Sequence, residues 1–459
     1  MQGVPDLLLK YNRQGPRYTS YPPATSFHNR YKPKDYKEHL IASNIRGDKN
    51  ISVYIHIPFC FQRCCFCGCN SSLFENNDLL ESYMAALLKE IETVTGLLDT
   101  SHRPLTQIHW GGGTPNMLST SLIERVMDFF ATNYNISTTA EISIECNPAY
   151  LDYDYVRFLA KTGFNRISLG IQDFDPKVLK AANRLPSKLP IGELFGILRN
   201  ENFEEINLDF IYGLPYQTSE SFRETLLKAV DLSPDRIVTF SYAHVPWLMP
   251  EQKKMEHFGL PDPNEKLAIF LAGFQALVSS GYQTIGLDHF AKPDDKISLA
   301  LKNKKLHRNF QGYCTKETTG QVYAFGSSAI SQLWNAYSQN IKPVKHYIDS
   351  IESTQFAVDR GYELSSDEMV CSTVINSIMC NGFVNFRQVA DMFGLTASDV
   401  VGITGYKPER IQEFIDDGLI SVFDDHIEIN QTGMMIARNI AMVFDPQLSI
   451  QENKYSKTI

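Results

Sequence analysis

Apolar and polar residues alternate along Ile51-Ser-Val-Tyr-Ile-His-Ile-Pro-Phe59, the two-residue period of a strand with unlike faces. Over residues 79–98 the pattern lengthens to the period of a helix, and the two periods then take turns. Strands are predicted at about 105–110, 140–145, 165–172, 206–213 and 236–243, with helices at about 119–133, 151–162, across 176–200 and 218–232. Six strands separated by helices imply a parallel sheet with helical crossovers, either open and doubly wound or curled into a barrel.

The unusual residues favour the barrel. A cysteine-rich loop follows the first strand, Gly111-Gly-Gly-Thr114 follows the second, and Glu145, Gln172 and Ala243 each fall at the end of a further strand. In a parallel barrel all those ends converge on one mouth, where active sites lie. The expected fold is therefore α/β, a partial (β/α)6 TIM-like barrel. Residues 1–48 read as an arm, with Gly15-Pro-Arg-Tyr-Thr-Ser-Tyr-Pro-Pro-Ala24 extended and not helical. Residues 49–345 read as the barrel and an irregular extension, in which Leu287-Asp-His-Phe-Ala291 and Leu306-His-Arg-Asn-Phe-Gln-Gly-Tyr313 stand out. Residues 346–459 read as a mostly helical domain, and within it 414–430 has the outline of a winged helix.

Composition narrows the function classes. The 459 residues are 43% hydrophobic and 21% charged, ordinary for a globular protein of two or three domains. A net charge of −9 argues against a general nucleic-acid or anionic-membrane surface, and the winged segment is itself acid-rich and lacks a basic stripe. No apolar run approaches the length of a membrane span, and the N-terminus lacks the pattern of a secretion signal. Nine cysteines with one dense cluster point to a reducing cytoplasm.

Five of those nine cysteines lie in the ten residues Cys60-Phe-Gln-Arg-Cys64-Cys65-Phe66-Cys67-Gly-Cys69. A soft donor set of this kind suits an iron–sulfur cluster or zinc. Thiolates spaced as Cys60, Cys64 and Cys67 can hold three corners of a cubane and leave the fourth iron open. Structural zinc usually takes a second cysteine pair farther along the chain, so zinc and disulfides are the blander readings. Gly111–Thr114 either lets backbone approach a ligand or makes a tight turn. Glu145 either accepts from ribose hydroxyls or is a surface carboxylate. Gln172, Arg184 and Asp209 lie on or near strand ends, and Asp209, inside an apolar strand, requires a partner. His56, His109, His244, His289 and His307 read as hydrogen-bonded core residues, and Cys146, Cys314, Cys371 and Cys380 as small buried hydrophobes.

At these residues the chain resembles the radical S-adenosylmethionine (SAM) superfamily, whose motif is Cys-x3-Cys-x2-Cys. More narrowly it resembles the oxygen-independent coproporphyrinogen III oxidase family. The narrower likeness rests on Arg17-Tyr-Thr-Ser-Tyr-Pro22, Tyr54-Ile-His-Ile-Pro-Phe-Cys60, Cys67-Gly-Cys69-Asn70, His109-Trp-Gly-Gly-Gly-Thr-Pro115, Gly163-Phe-Asn-Arg-Ile-Ser168, Ile211-Tyr-Gly-Leu-Pro215, Asp288-His-Phe-Ala291 and His307-Arg-Asn-Phe-Gln-Gly-Tyr313. It implies a 4Fe-4S cluster on Cys60, Cys64 and Cys67, with SAM on the open iron. It also implies a 5′-deoxyadenosyl radical that takes hydrogen from a propionate of coproporphyrinogen III, after which carbon dioxide leaves and a vinyl group remains. Two propionates are processed, giving protoporphyrinogen IX.

The same resemblance implies two SAM sites. Tyr54, Gly112, Glu145 and Ile330 match the first; Phe66, Gly113, Thr114, Gln172, Arg184, Asp209 and Ala243 match the second. Cys69 is a possible accessory residue, and Arg17 and Arg308 are candidate partners for substrate carboxylates by motif position. A low-potential electron donor such as flavodoxin or ferredoxin is implied, and a monomer is expected because the covers are supplied in cis. The chain departs from the family pattern at Cys65, where an aromatic is usual, and at Cys146-Asn147. Competing readings are a haem chaperone or haem-binding protein on the same fold, and a radical SAM methyltransferase acting on haem.

Overall fold

The computed structural model describes residues 4–286 and 288–448; Met1–Gly3 of the opening stretch and Leu287 of the 287–291 motif lie outside them. The alternating pattern of the first half forms as read, in the order β1 (Ile51–Ile57), α1 (Asn77–Thr95), β2 (Pro104–Gly112), α2 (Thr120–Asn133), β3 (Asn135–Cys146), α3 (Tyr153–Lys161), β4 (Arg166–Gln172), α4 (Ile191–Asn200), β5 (Glu205–Tyr212), α5 (Ser219–Asp231) and β6 (Arg236–Ser241). These six strands are parallel neighbours in chain order. A long helix, α6 (Pro263–Ser279), follows β6. A seventh parallel strand, β7 (Gln321–Phe325), joins the free side of β1 with Ala324 opposite Tyr54.

The two faces of the strands are chemically opposite. Val53 and Ile55, Ile108 and Trp110, Ile142 and Ile144, and Leu208 and Phe210 are buried in the main core with Tyr83, Leu87 and Ile91 of α1 and Ile123, Val126 and Phe130 of α2. The alternate positions are polar. Ser52, Gln107, His109, Glu141, Ser143, Glu145, Ser168, Asn207 and Asp209 line one cavity of about 220 Å³, together with Phe240 of β6 and Val322 of β7. Flat strands from β1 to β6 would span about 24 Å at ~4.8 Å per strand. One such cavity touching both ends requires the sheet to curl. The hairpin Leu306–Asn309/Gly312–Thr315 adds Asn309, Tyr313 and Cys314 to the lining of the cavity.

Polar residues at the bottom of this lumen pair with one another. The Arg166 guanidinium reaches Glu141 at 2.8 Å and Glu205 at 2.5 Å, and Arg236 reaches Glu205 at 2.7 Å and Asp295 at 2.9 Å.

Past β7 the sheet continues antiparallel through β8 (Ile330–Gln332), β9 (Ala336–Asn340) and β10 (Val358–Glu363). It thus runs past residue 345, where the sequence reading ends the catalytic unit. The C-terminal part opens with α7 (Ser366–Asn381), capped by Ser365 and Glu368, and contains the small sheet Phe383–Asn385, His426–Ile429, Ile420–Val422. Its helix Pro408–Asp416, hairpin and following turn of helix Gln431–Met434 match the winged outline. The arm holds two helices, Val4–Lys10 and Pro33–Ala42, and between them Gly15–Pro23 is non-helical, as its prolines require.

The C-terminal part fastens the arm. Arg13 forms a two-pronged pair with Glu413 at 2.9 Å, Asn439 donates to the Tyr11 carbonyl at 2.9 Å, and the Tyr18 and Tyr21 hydroxyls donate to Asp445 at 2.8 and 3.2 Å. Arg438 donates from Nε to the Pro16 carbonyl at 3.2 Å and from Nη2 to the Gly15 carbonyl at 2.9 Å.

Candidate active site

The cysteine loop leaves β1 at the top of the lumen and is tied back at both ends. His56 Nε2 lies 2.9 Å from the Asn70 carbonyl, which only accepts, so Nε2 carries the proton and Nδ1 accepts from the Tyr54 hydroxyl at 3.0 Å. The glycine run packs directly on the start of the loop. The Gly113 amide donates to the Ile57 carbonyl at 2.7 Å and the Thr114 amide to the Phe59 carbonyl at 2.9 Å. Glycine is required there: a Cβ on Gly113 would lie 2.7 Å from the Phe59 carbonyl oxygen, and one on Gly112, whose φ is +116°, would meet the His56 ring at 2.7 Å.

Cys60, Cys64 and Cys67 are half-buried free thiols. Thr114 Oγ1 donates to Cys60 Sγ at 3.2 Å, and Arg184 Nη1 lies 3.8 Å from Cys64 Sγ. Burial pushes both of these thiols up, and Thr114 and Arg184 act against it. A hydrogen bond from the neighbouring Cys69 thiol holds Cys67 low. Cys65 faces the other way. Its amide donates to the Ala182 carbonyl at 2.9 Å, and its thiol is buried among Val178, Ile211, Leu214 and Met255, with Phe66 packed beside it. Cys65 is thus a small hydrophobe and does not compete with the motif thiols. Cys146 is likewise buried in the main core, while Asn147 exchanges hydrogen bonds with Asn116 at 3.0 and 2.9 Å and caps the turn after β3.

Among the described residues, no three His, Cys, Asp or Glu side chains converge on a point that would hold a single metal ion. Three soft sulfur donors on one loop, each able to bind a different iron, suit an iron–sulfur cluster.

The strand ends add polar groups around the thiols. Glu145 receives His109 Nε2 at 3.0 Å and the Gly112 amide at 3.3 Å. Burial pushes its carboxyl up, but these donors outweigh burial and hold it below the usual value. Tyr54 stacks on His109 at 5.9 Å, so Tyr54, Gly112 and Glu145 form one group. Gln172 ends β4 in the left-handed region at φ +71°, and Arg184 donates to the Gly170 carbonyl. Gln172 Oε1 and Arg184 Nε are buried with no hydrogen-bond partner, a cost that a polar ligand at this spot would remove.

Asp209 finds the partners its apolar strand demanded. Ser168 donates to it at 2.6 Å and Asn207 at 2.8 Å, while burial raises it to about 6. Ala243 leaves β6 exposed, its carbonyl held by Gln252 at 3.0 Å. Ile330 opens β8 and packs with Phe27, Tyr337 and Leu364. Arg17 is exposed, and Arg308 lies 5.3 Å over the Tyr313 ring; burial pushes the Asp288 carboxyl up, but His289 beside it, and then Arg308 and Arg17, hold it below the usual value.

His109 is the group that the reading of scattered histidines passed over as core. Its place among the alternating polar residues of β2 was the available signal.

A model of the Radical SAM superfamily matches residues 54–229, the span from Tyr54 through most of α5, and fixes the class to which the cysteine loop and curled sheet belong. Oxygen-independent coproporphyrinogen III oxidases are similar over nearly the full length: that of Synechocystis sp. is 40% identical over 96% of this chain and 95% of its own, and that of Pseudomonas aeruginosa 36% identical over 99% and 98%. A solved structure of the coproporphyrinogen III oxidase of Escherichia coli, described as a radical SAM enzyme, superposes with a TM-score of 0.89 at 36% identity, covering 96% of this chain and 98% of that one. The chain belongs to the oxygen-independent coproporphyrinogen III oxidase family. It is an oxidoreductase, and membership of the radical SAM class carries with it a 4Fe-4S cluster and SAM. The likeness favours the oxidase over the haem-chaperone and methyltransferase readings.

Proposed function

We propose that this chain converts two propionate side chains of coproporphyrinogen III to vinyl groups without oxygen, yielding protoporphyrinogen IX. The observation that carries the reading is the set of three half-buried thiols, Cys60, Cys64 and Cys67, with Thr114 on Cys60 and Arg184 beside Cys64, in a chain alike to these oxidases from end to end. The three thiols would hold the cluster. When bound, cluster and SAM supply one-electron chemistry strong enough to take a hydrogen atom from a propionate.

The rest of the work falls to this chain's own groups. Glu145, kept ionised by His109 and the Gly112 amide, is suited to accept from a pair of sugar hydroxyls, and Tyr54 walls that position. Gln172, Arg184 and Asp209, with Phe66, Gly113, Thr114 and Ala243, would serve a second SAM; the unpartnered atoms of Gln172 and Arg184 support this half of the proposal. Ile330 would complete the first site. Arg17 and Arg308 would pair with substrate carboxylates. The arm and the C-terminal part exclude water from a reactive intermediate. The setting we propose is a cytoplasmic monomer served by a low-potential donor such as flavodoxin or ferredoxin; no helix among the described residues is long and apolar enough to cross a membrane.

The test compares two neighbouring cysteines in anaerobically reconstituted protein. Cys64→Ala should lose the cluster's iron and sulfide and all formation of divinyl product, whereas Cys65→Ala should keep both. Equal loss in the two variants, or product from Cys64→Ala, would sink the assignment.

A further inference from the structure

A second cavity, of about 550 Å³, shares no lining residue with the lumen. Its volume falls within the range of about 300–1,000 Å³ usual for sites that take small organic ligands. Three parts of the chain wall it: Tyr18–Tyr21 of the arm, Gly47 and Asp48 with Gln321, Gln332 and Trp334 of the neighbouring sheet, and Met369, Thr373 and Asn376 of α7. Gly47 and Asp48 precede β1, whereas the cysteine loop follows it. The seven residues Ile51–Ile57 set those two ends about 20 Å apart.

The floor of this cavity is held in place by hydrogen bonds. Gln321 Nε2 donates to the Arg46 and Asp48 carbonyls at 2.8 and 2.9 Å, and its Oε1 accepts from the Trp334 amide at 3.0 Å. Gly47, at φ +75°, leaves the room that Trp334 occupies, for a Cβ there would stand 2.5 Å from Trp334 Cβ.

The walls carry cations without an answering anion. Arg308 and Lys316 both line the cavity, and neither has an ion pair among the described residues. The lining carboxylate, Asp48, already accepts from the Asn50 amide at 2.8 Å. Arg308 Nε, Trp334 Nε1 and Gln332 Oε1 are all buried with no hydrogen-bond partner. Two unmet donors and an unmet acceptor around one cavity are a cost that a ligand offering both kinds of group removes. Tyr18, Tyr21, Trp334 and Tyr337 make much of the remaining surface aromatic.

We propose that this cavity is a second binding site, for a flat aromatic carboxylate whose acid group meets Arg308 and Lys316 and whose body lies against Trp334 and Tyr337. The inference rests on the oxidase reading for the member of that class, a tetrapyrrole, held here away from the thiols. Occupancy would bridge the arm and α7.

The test reads binding at the cavity itself. Coproporphyrin III, the air-stable oxidised form of the substrate, is titrated into cluster-loaded protein without reductant, and hydrogen exchange is followed across residues 18–21 and 369–377. Protection of both segments should rise with the probe and saturate. Lys316→Glu, at an exposed position, should move the midpoint about tenfold higher, and Trp334→Phe, which keeps an aromatic wall but removes the donor, about threefold. Lys316→Arg should match wild type. No added protection at these segments, or a midpoint that Lys316→Glu leaves in place, overturns the proposal. Carbon dioxide release at saturating coproporphyrinogen III should be the same in Lys316→Glu as in wild type; a loss in step with the midpoint would make this the reacting site and overturn it as a second one. Charge-dependent binding here with no carbon dioxide from wild type would leave the cavity's role standing and remove the oxidase reading.

Discussion

At the scale of single residues, the site depends on short side chains and on donors aimed at carboxylates. Gly113 has no room for a methyl group, because the three atoms nearest its missing Cβ all belong to backbone at the start of the loop it supports. Gly113→Ala should therefore push the cysteine loop outward, costing about 1–3 kcal/mol and reducing iron per chain on anaerobic reconstitution. Normal iron content with unchanged stability would show that the loop yields. His109 matters through Glu145. Without its Nε2–H, burial would dominate and the carboxyl would rise. His109→Phe should weaken SAM binding by roughly tenfold or more, the worth of a hydrogen bond to a charged group, as calorimetric titration of reconstituted protein would read.

At the scale of elements, the strands combine an apolar outer face with a polar lumen, unlike the branched aliphatic filling of the usual eightfold barrel. The paired charges at the bottom of the lumen are the cost of that choice. Arg166→Met would leave Glu141 and Glu205 short of their partner and should destabilise by about 3–5 kcal/mol in chemical denaturation. A second buried carboxylate, Glu90 of α1, accepts from the Gly326 amide at 2.8 Å, Asn340 at 2.6 Å and the Tyr347 hydroxyl at 2.7 Å, joining α1 to β9. Burial raises it from 4.5 to about 7 despite those donors. The folded chain then holds this proton more tightly than the unfolded one. Its contribution is fully present below about pH 4.5 and is lost as pH rises through about 7, a fall of roughly 3 kcal/mol. Glu90→Gln should flatten that part of the stability profile; a profile unchanged in the variant would assign the slope to other groups.

The same elements mark how far the sequence could be read. β1 to β6 announced themselves because each carries an apolar strand pattern and the first five are followed by a helix of the right period. β7 did not, since Gln321–Phe325 is short, buried at every position and flanked by irregular chain; only its pairing with β1, far away in sequence, makes it a strand. β10 is partly exposed and hides in a tail that is otherwise helical. In the site, motif residues were legible as motifs, while the bond from His109 to Glu145 joins two strands and has no local signal.

At the scale of the whole molecule, the arm and the C-terminal part act as one cover. Tyr18 and Tyr21 converge on Asp445, and Arg438 and Asn439 hold the backbone before them, so release of one end should loosen the other. Asp445→Ala should raise amide hydrogen exchange across residues 11–22 and increase SAM cleavage uncoupled from product, while the sheet stays protected. Protection of the arm equal to wild type would show that its packing alone suffices.

The central claim, that this chain is an oxygen-independent decarboxylase of coproporphyrinogen III, meets its most direct test in the carbon dioxide released per porphyrinogen during anaerobic turnover with SAM and a reductant. The account predicts two molecules of carbon dioxide for each divinyl product, with 5′-deoxyadenosine formed alongside. Formation of 5′-deoxyadenosine with no carbon dioxide would contradict it, leaving the radical machinery in place and the substrate wrong.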